Sequence, residues 1–245
     1  MQRWIQVIGM MGCLLMAQAN AAERLRLVAD PWAPFTETAL LDGGLATDIV
    51  STALARAGYV AVYEQLPWAR AMLGLAEGRH DVLINAWYSD ERTTIGQFSG
   101  TYLVNRILFL KRKDEPIEDW SLSLLRQYSI GVVRGYAYQP AFDSNTRLHK
   151  VQVQNFSMAA RMLAAGRIDL TLEDELVARH QLALEEPQVR DTLEFLPNPL
   201  SENNLRILVS LKHPEHALIV ERFDAAIAAM RADGSYEALF KRHGF

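Results

Sequence analysis

Charged side chains follow two apolar segments of the sequence at places where they could do chemistry. Arg92 comes shortly after the apolar segment 81–85, and the acidic run 173–175 directly follows the apolar segment 170–172. A planar guanidinium can hold a carboxylate through two parallel hydrogen bonds, which a lysine cannot reproduce. An acidic group near a cleft can bind a solute or act as a general acid or base. The alternatives are a surface arginine that caps a short helix and a solvated acidic run.

Two tryptophans near prolines are further candidates for a binding site. Trp32 lies between Pro31 and Pro34, which fix the direction of the turn, and Trp68 follows Pro67 at the start of a helical pattern. Aromatic faces contribute dispersion and attract cations, with about 0.5 to 2 kcal/mol per contact depending on desolvation. Each ring could instead pack in the core beneath its turn.

Several other chemistries find no support in the sequence. There is no Gly-x-Ser-x-Gly elbow, no phosphate loop and no Gly-x-Gly-x-x-Gly fingerprint. His213 and His216 are three residues apart, but they fall at a predicted helix start, and the other histidines lack a zinc-type spacing. We therefore expect neither a metal nor a cofactor.

The amino-terminal segment has the features of an export signal. Arg3 forms a basic start, an apolar run covers residues 4–16, and Ala19-Asn20-Ala21 offers a small-x-small cleavage site. We expect residues 1–21 to be removed and the protein to be periplasmic. An uncleaved anchor and a lipid on Cys13 are the alternatives.

The bulk composition limits the possible partners. Cys13 is the single cysteine, so the expected mature chain has no disulfide and no thiolate site. Acids and bases are interspersed, the formal net charge is −4, and no basic stripe with interleaved aromatics occurs. We expect no nucleic-acid partner.

An internal repeat positions the charged segments. The sequence 69–83 returns in altered form as 159–172, each with an amphipathic helix, then Gly-Arg-x-Asp, then an apolar strand. Two similar lobes are therefore predicted. Residues 85–92 and 173–175 would both follow strand carboxyl ends, which is where open α/β sheets bind ligands.

The remaining pattern alternates apolar strands with amphipathic helices. This order predicts an α/β fold with a mainly parallel sheet covered on both faces. Thr47 or Asp48 is placed to cap the first helix. The predicted helices cover residues 46–58, 68–76, 157–165, 216–230 and 236–243, with a short one after 138, and the predicted strands cover 25–29, 60–65, 81–85, 106–110, 129–133, 150–153 and 205–211.

Three segments resemble the bacterial extracellular solute-binding proteins of family 3, which serve polar amino-acid ABC transporters. Residues 89–102 resemble the family's Thr-Pro-Glu-Arg, Phe-Ser, Tyr signature, and residues 166–174 resemble its Gly-Arg-x-Asp strand with the ligand aspartate. Residues 225–240 resemble its terminal helix, Asp-Gly-Ser/Thr-Tyr turn and last helix. The three segments occur in the family's order, and the similarity extends over nearly all of the sequence after residue 21.

The resemblance implies a two-lobe protein of the type II periplasmic binding fold, each lobe a mainly parallel sheet flanked by helices and joined by hinge strands. Lobe 1 would comprise residues 22–110 plus 206–245, and lobe 2 residues 111–205. It also implies a small-molecule ligand, an inner-membrane ABC permease as partner, and a monomer that is not an enzyme.

The resemblance also assigns roles to residues. Arg92 matches the arginine that clamps the ligand's carboxylate. Asp174 matches the aspartate that accepts its ammonium group, and a neighbouring carboxylate of the run 173–175 is the alternative acceptor. Trp32 lies where the family places a stacking aromatic. Trp68 and Arg70 resemble a Pro-Trp-x-Arg element of a divergent branch.

Two departures from the family pattern concern the pocket. Trp87 replaces a small hydroxyl residue, and Tyr136 replaces the threonine of a Gly-Thr pair. Bulky aromatics at both positions would reshape an amino-acid pocket, so a ligand with a flat or apolar part, or a small cation boxed by aromatics, fits equally well. We expect capture of a small polar solute, either an amino acid or a related carboxylate or amine, with a dehydratase-like enzyme or a ligand-sensing protein as the alternatives.

Overall fold

A computed structural model describes residues 22–136 and 138–245 of the chain. The predicted export signal and Cys13 lie outside these described residues. No helix in the described part of the chain is both long and apolar enough to cross a bilayer.

The first part of the chain forms a βαβαβ unit. Its turn at residues 31–36 is closed by hydrogen bonds between the backbones of Trp32 and Thr36. The elements are β1 (Glu23–Ala29), α1 (Leu45–Arg56), β2 (Tyr59–Gln65), α2 (Trp68–Ala76), β3 (Val82–Trp87), β4 (Gly96–Phe98) and β5 (Leu103–Arg112), with 3₁₀ turns at Leu41–Gly43 and Glu91–Thr94.

The second part repeats the alternation and then returns to the first. A 3₁₀ turn at Leu124–Gln127 precedes it. The elements are β6 (Ser129–Val133), α3 (Pro140–Asp143), β7 (His149–Val153), α4 (Phe156–Ala164), β8 (Leu170–Asp174), α5 (Glu175–Ala183), α6 (Pro187–Arg190), β9 (Leu193–Phe195), β10 (Ser201–Ser210), α7 (His216–Ala232) and α8 (Ser235–Arg242).

All these strands join one sheet in the order β2-β1-β3-β10-β5-β8-β6-β7, with β4 on β10 and β9 on β5. We call β1–β4 the first half of the sheet and β6–β9 the second half. Within each half the main strands are parallel, as predicted. The ten-residue strands β5 and β10 are antiparallel to their neighbours and connect the two halves.

The aspartates of the two Gly-Arg-x-Asp repeats make equivalent contacts. Asp81 accepts from the Arg26 backbone N–H through Oδ2 at 2.8 Å, and its own N–H donates to the Arg26 carbonyl at 2.9 Å. Asp169 accepts from the Ser129 backbone N–H at 2.7 Å and donates to the Ser129 carbonyl at 2.9 Å. Each aspartate therefore fixes the register of two neighbouring parallel strands, which confirms the structural meaning of the repeat.

Separate hydrophobic clusters support the two halves. In the first, Leu27, Ile49 and Phe223 are buried between the sheet and helices α1 and α7. In the second, Phe109 and Phe142 lie in one of two clusters around β6 and β8. These clusters hold the strand carboxyl ends in fixed positions.

The predicted cap of α1 is wrong. The helix begins at Leu45 after Gly44, and no side chain caps it. Gly44 has φ 95°, and an added Cβ would lie 2.7 Å from the Phe35 carbonyl oxygen, so only glycine fits this close turn. Asp48 is used elsewhere: it accepts from Arg242 at 2.6 Å and contacts His243 at 2.9 Å.

Candidate functional site

A cavity of about 370 Å³ lies where strand carboxyl ends of the two halves face each other. It contains six of the seven residues that the sequence predicts for the site. These are Trp32, Trp68, Trp87 and Arg92 from the first half and Tyr136 and Asp174 from the second. Its other lining residues are Asp30, Asn85, Ile107, Gly135, Tyr138 and Glu173.

Arg92 is held by backbone and aromatic contacts rather than by an acid. Its Nη1 donates to the Trp87 carbonyl at 2.5 Å, and its guanidinium carbon lies 5.0 Å from the centre of the Trp68 ring. Within residues 22–136 and 138–245, no carboxylate oxygen lies within 4.0 Å of it. Burial lowers the pKa of this guanidinium, which still remains charged at neutral pH. The group is therefore positioned to bind an external anion.

The tryptophans of the first half form an angled aromatic wall. The rings of Trp32 and Trp87 are 5.9 Å apart at 84°, an edge-to-face arrangement that aromatic pairs favour. Trp87 Nε1 donates to Asn105 Oδ1 at 3.0 Å, which fixes the orientation of the indole. Trp87 is still 36% exposed, so its face is available to a ligand.

Asp174 is buried and its two oxygens are engaged. Oδ1 accepts from the backbone N–H groups of Leu176 and Val177 at 2.9 and 3.0 Å, so the side chain caps α5. Oδ2 accepts from Asn105 Nδ2 at 3.1 Å. Burial raises the pKa of Asp174 to about 6, although these hydrogen bonds oppose the rise.

Glu173 is the neighbouring carboxyl and is only 4% exposed. Its Oε1 accepts from the Asp174 backbone N–H at 2.9 Å. Its Oε2 is buried and has no partner in the described part of the chain. Burial raises the pKa of Glu173 to about 8, and the charge of Asp174 adds to the effect.

Asn85 presents a second buried acceptor, its Oδ1, which has no partner in residues 22–136 and 138–245. The amide nitrogen of Asn85 donates to Asp30 Oδ1 at 2.8 Å, which turns the oxygen away from Asp30.

The loop after β6 forms the opposite wall of the cavity. Tyr136 is 54% exposed, and the hydroxyl of the buried Tyr138 accepts from the Val133 N–H at 2.8 Å.

Arg70 is the predicted site residue that the structure does not bring to the cavity. It lies on the exposed side of α2, whereas Trp68 lies at the start of that helix and lines the cavity. A Pro-Trp-x-Arg spacing separates the two side chains by two helical positions, which face different directions.

Some lining residues were not predicted for the site. Asp30 directly follows β1, and Asn85 lies two residues before the end of β3, so both are near strand carboxyl ends, a signal that strand-end reasoning contains. For Glu173, the sequence allows either the binding of the ammonium group in place of Asp174 or a role as a catalytic acid. The sequence contains no signal that would place Ile107 or Tyr138 at the site. Ile107 is in β5 and Tyr138 is in the loop after β6, and only the tertiary fold brings these two segments to the same cavity.

The arrangement suits reversible binding of a small polar solute. It combines one cationic donor group, three acidic residues and five aromatic side chains, with Arg92 on the first half of the sheet and Glu173 and Asp174 on the second. In the described part of the chain, no group of three or more His, Cys, Asp or Glu side chains has a metal-binding arrangement.

Solved structures with the same fold are binding domains. At TM-score 0.73 and 15% identity, the chain is similar to the Lactococcus lactis GlnP substrate-binding domain 2 in its open conformation, covering 90% of this chain and 95% of that one. An ancestral arginine-binding protein bound to arginine has TM-score 0.63 and 20% identity over 92% of this chain and all of that one.

A third similar structure is a histidine kinase sensor domain with similarity to periplasmic binding proteins, with TM-score 0.64, 19% identity and coverage of 91% of this chain and 97% of that one. At these identities the similarity establishes the fold alone. It confirms the predicted α/β fold of the type II periplasmic binding proteins.

No curated protein matches the sequence closely enough to count as a relative. The profile of the bacterial extracellular solute-binding proteins, family 3, matches residues 27–245, which is most of the chain. The match includes every residue that lines the cavity. The chain therefore belongs to the bacterial extracellular solute-binding proteins of family 3.

Proposed function

We propose that this protein captures a small polar solute, an amino acid or a related carboxylate or amine, for delivery to an ABC importer. The observation that carries the proposal is Arg92, a guanidinium that lines the cavity, stacks on Trp68 and has no carboxylate oxygen within 4.0 Å among the described residues. Such a group binds a carboxylate through two parallel hydrogen bonds. The similar GlnP domain and the family membership support the same role.

In this proposal the halves of the sheet act as two lobes. Lobe 1 is residues 22–110 plus 206–245 and lobe 2 is residues 111–205, so that β5 and β10 are the hinge strands. Arg92 and the tryptophans bind the solute first. Tyr136 and the acidic pair, Glu173 and Asp174, then approach from lobe 2. Closure is favoured only as far as the solute contacts both lobes. A smaller radius of gyration in solution scattering after ligand addition would be the sign of closure.

We propose that the protein is located in the periplasm after removal of residues 1–21. There the closed form of the monomer would bind to an inner-membrane permease. The alternative of a sensing protein is favoured by one observation, the similarity to a histidine kinase sensor domain. Deletion of the gene separates the two roles: loss of solute uptake indicates transport, and loss of a transcriptional response with normal uptake indicates sensing.

A thermal-shift screen of amino acids, amines and small carboxylates tests capture directly. A ligand that binds the folded protein raises its melting temperature. We expect Arg92→Ala to weaken binding about 10- to 100-fold, because charge-assisted hydrogen bonds are lost. The matched control is Arg126→Ala, which removes an exposed arginine outside the cavity. Full binding by the Arg92 variant would reject the assigned clamp, and conversion of the compound to a product would favour an enzyme.

A further inference from the structure

Two buried acceptor atoms in the cavity, Glu173 Oε2 and Asn85 Oδ1, have no hydrogen-bond partner within the described residues. The two residues are only 4% and 6% exposed. Leaving a buried acceptor unpaired costs about 1 to 3 kcal/mol, so native proteins pair nearly all of them. Both residues line the cavity, one from each half of the sheet. Hydrogen-bond donors of a bound molecule would satisfy both atoms.

Asp174 is less available to a ligand than its neighbour. It already accepts three hydrogen bonds, two from the first N–H groups of α5 and one from Asn105. A ligand nitrogen would have to compete with these donors. At Glu173 a ligand nitrogen would meet Oε2, which has no donor among the described residues.

The charges of the cavity favour a cation. Asp30, Glu173 and Asp174 line it, whereas Arg92 is its one basic residue within the described parts of the chain. The faces of Trp32 and Trp87 add attraction for a positive group. A ligand carboxylate on Arg92 leaves an excess of acidic groups, which a second protonated nitrogen would balance.

On the basis of the proposed function, we propose that Glu173, and not Asp174, accepts the protonated nitrogen of the ligand, and that the ligand is a small amino carboxylate with net positive charge. Its carboxylate binds Arg92, and a further N–H group reaches Asn85 Oδ1. The occupant of the cavity is therefore a compound of the basic amino-acid class.

Capture by this route exchanges a proton for a cation. Burial holds Glu173 protonated near neutral pH. When the ligand nitrogen, which is already protonated, binds to Oε2, the Glu173 proton leaves to solvent and the carboxylate charge pairs with the ligand. The titratable and charged groups that face this carboxyl are Asp174 on its own strand, Tyr136 and Tyr138 after β6, and Arg92 and Asp30 across the cavity.

Calorimetric titration of the whole protein tests this assignment with named probes. L-arginine, L-lysine and L-ornithine represent the cationic class, L-glutamine and L-leucine the neutral class, and L-glutamate the anionic class. The variants are Glu173→Gln, which keeps the shape but cannot ionise, and the matched control Glu118→Gln, which makes the same change at an exposed glutamate outside the cavity. Titrations at pH 6 and pH 8, in buffers with different ionisation heats, also count the protons released.

We expect a cationic probe to bind best, with affinity about 10- to 100-fold lower in Glu173→Gln and within about threefold of the native value in Glu118→Gln. We also expect binding to be tighter at pH 8 than at pH 6, with proton release that disappears in Glu173→Gln. Equal binding by Glu173→Gln, or best binding of a neutral or anionic probe, would overturn the inference while the capture function stands. Absence of binding by every probe class to the folded protein would count against both.

Discussion

Asn105 donates from Nδ2 to Asp174 Oδ2 at 3.1 Å, and its Oδ1 accepts from Trp87 at 3.0 Å. This fully buried amide on β5 therefore connects an aromatic ring of the first half of the sheet with the acidic pair of the second. The position of the Trp87 indole and the position of the α5 cap depend on the same side chain.

Replacing this amide with an apolar residue should destabilise the protein. In Asn105→Leu, Asp174 Oδ2 loses its donor, and we expect the free energy of unfolding to fall by about 1 to 3 kcal/mol. Urea unfolding followed by tryptophan fluorescence measures the change. The control Asn204→Ala removes an exposed amide from the neighbouring strand and should change stability by less than about 0.5 kcal/mol. Equal losses in both variants would show that the Asn105 contacts contribute nothing particular.

Trp68 should tune the strength of the Arg92 site. Its ring lies 5.0 Å from the guanidinium, at a distance where a cation–π contact contributes about 0.5 to 1 kcal/mol. We expect Trp68→Leu to weaken binding of a carboxylate ligand about two- to fivefold, measured by calorimetric titration. Trp120→Leu is the control, because Trp120 packs on Phe109 outside the cavity. If Trp120→Leu lost as much affinity as Trp68→Leu, the effect would come from general destabilisation of the fold and not from the Arg92 contact.

The stability of the ligand-free protein should report the ionisation of Glu173. Its pKa is raised to about 8 by burial, above the 4.5 of an ordinary glutamate, so the folded state holds a proton that the unfolded chain releases. Stability from this group is complete below about pH 4.5 and is lost as the pH rises towards 8. The native protein should therefore lose stability relative to Glu173→Gln between pH 5 and pH 8.

Urea unfolding at pH 5, 6.5 and 8 measures this difference, and subtracting the Glu173→Gln values removes the contributions of other titrating groups. A difference that stays constant with pH would mean that Glu173 ionises in the folded state as it does in the unfolded chain.

The two repeat aspartates should have comparable structural importance. Asp81 accepts from the Arg26 backbone and guanidinium, and Asp169 accepts from the backbone and hydroxyl of Ser129. We expect Asp81→Ala and Asp169→Ala each to lower the free energy of unfolding by about 1 to 3 kcal/mol. Asp114→Ala, at a side chain that is 84% exposed, serves as the control. An unchanged free energy of unfolding in either variant would show that the two aspartates are not equivalent in the structure, although the repeat makes them equivalent in the sequence.

Much of the fold could be predicted from the sequence, because in most elements the hydrophobic periodicity agrees with the glycine and proline residues that mark where the elements end. The helix at residues 68–76 and the strand at residues 129–133 have the predicted bounds. Helix α5 was missed because its sequence mixes polar and apolar residues without a clear stripe, and its start coincides with an acidic run. The polar beginning of β10, Ser201–Asn204, was missed because its strand conformation comes from pairing with β5.

The candidate site was accessible through strand ends and through family resemblance, and this reasoning placed six side chains in one cavity. It could not rank Glu173 against Asp174, since adjacent acids in a sequence look alike. Only the partners of each oxygen distinguish them, and those partners, Asn105 and the first turn of α5, come from tertiary packing.

The position of β10 between β3 and β5 has a consequence for biosynthesis. When the ribosome has just completed β5, the chain contains β3 and β5, but β10, which lies between them in the sheet, has not yet been translated. The pairing of β3 with β10 needs residues 201–210, and the core of the first half also includes Phe223 from α7. Until then one edge of β3 has no partner strand, and an unpaired edge of this kind favours aggregation.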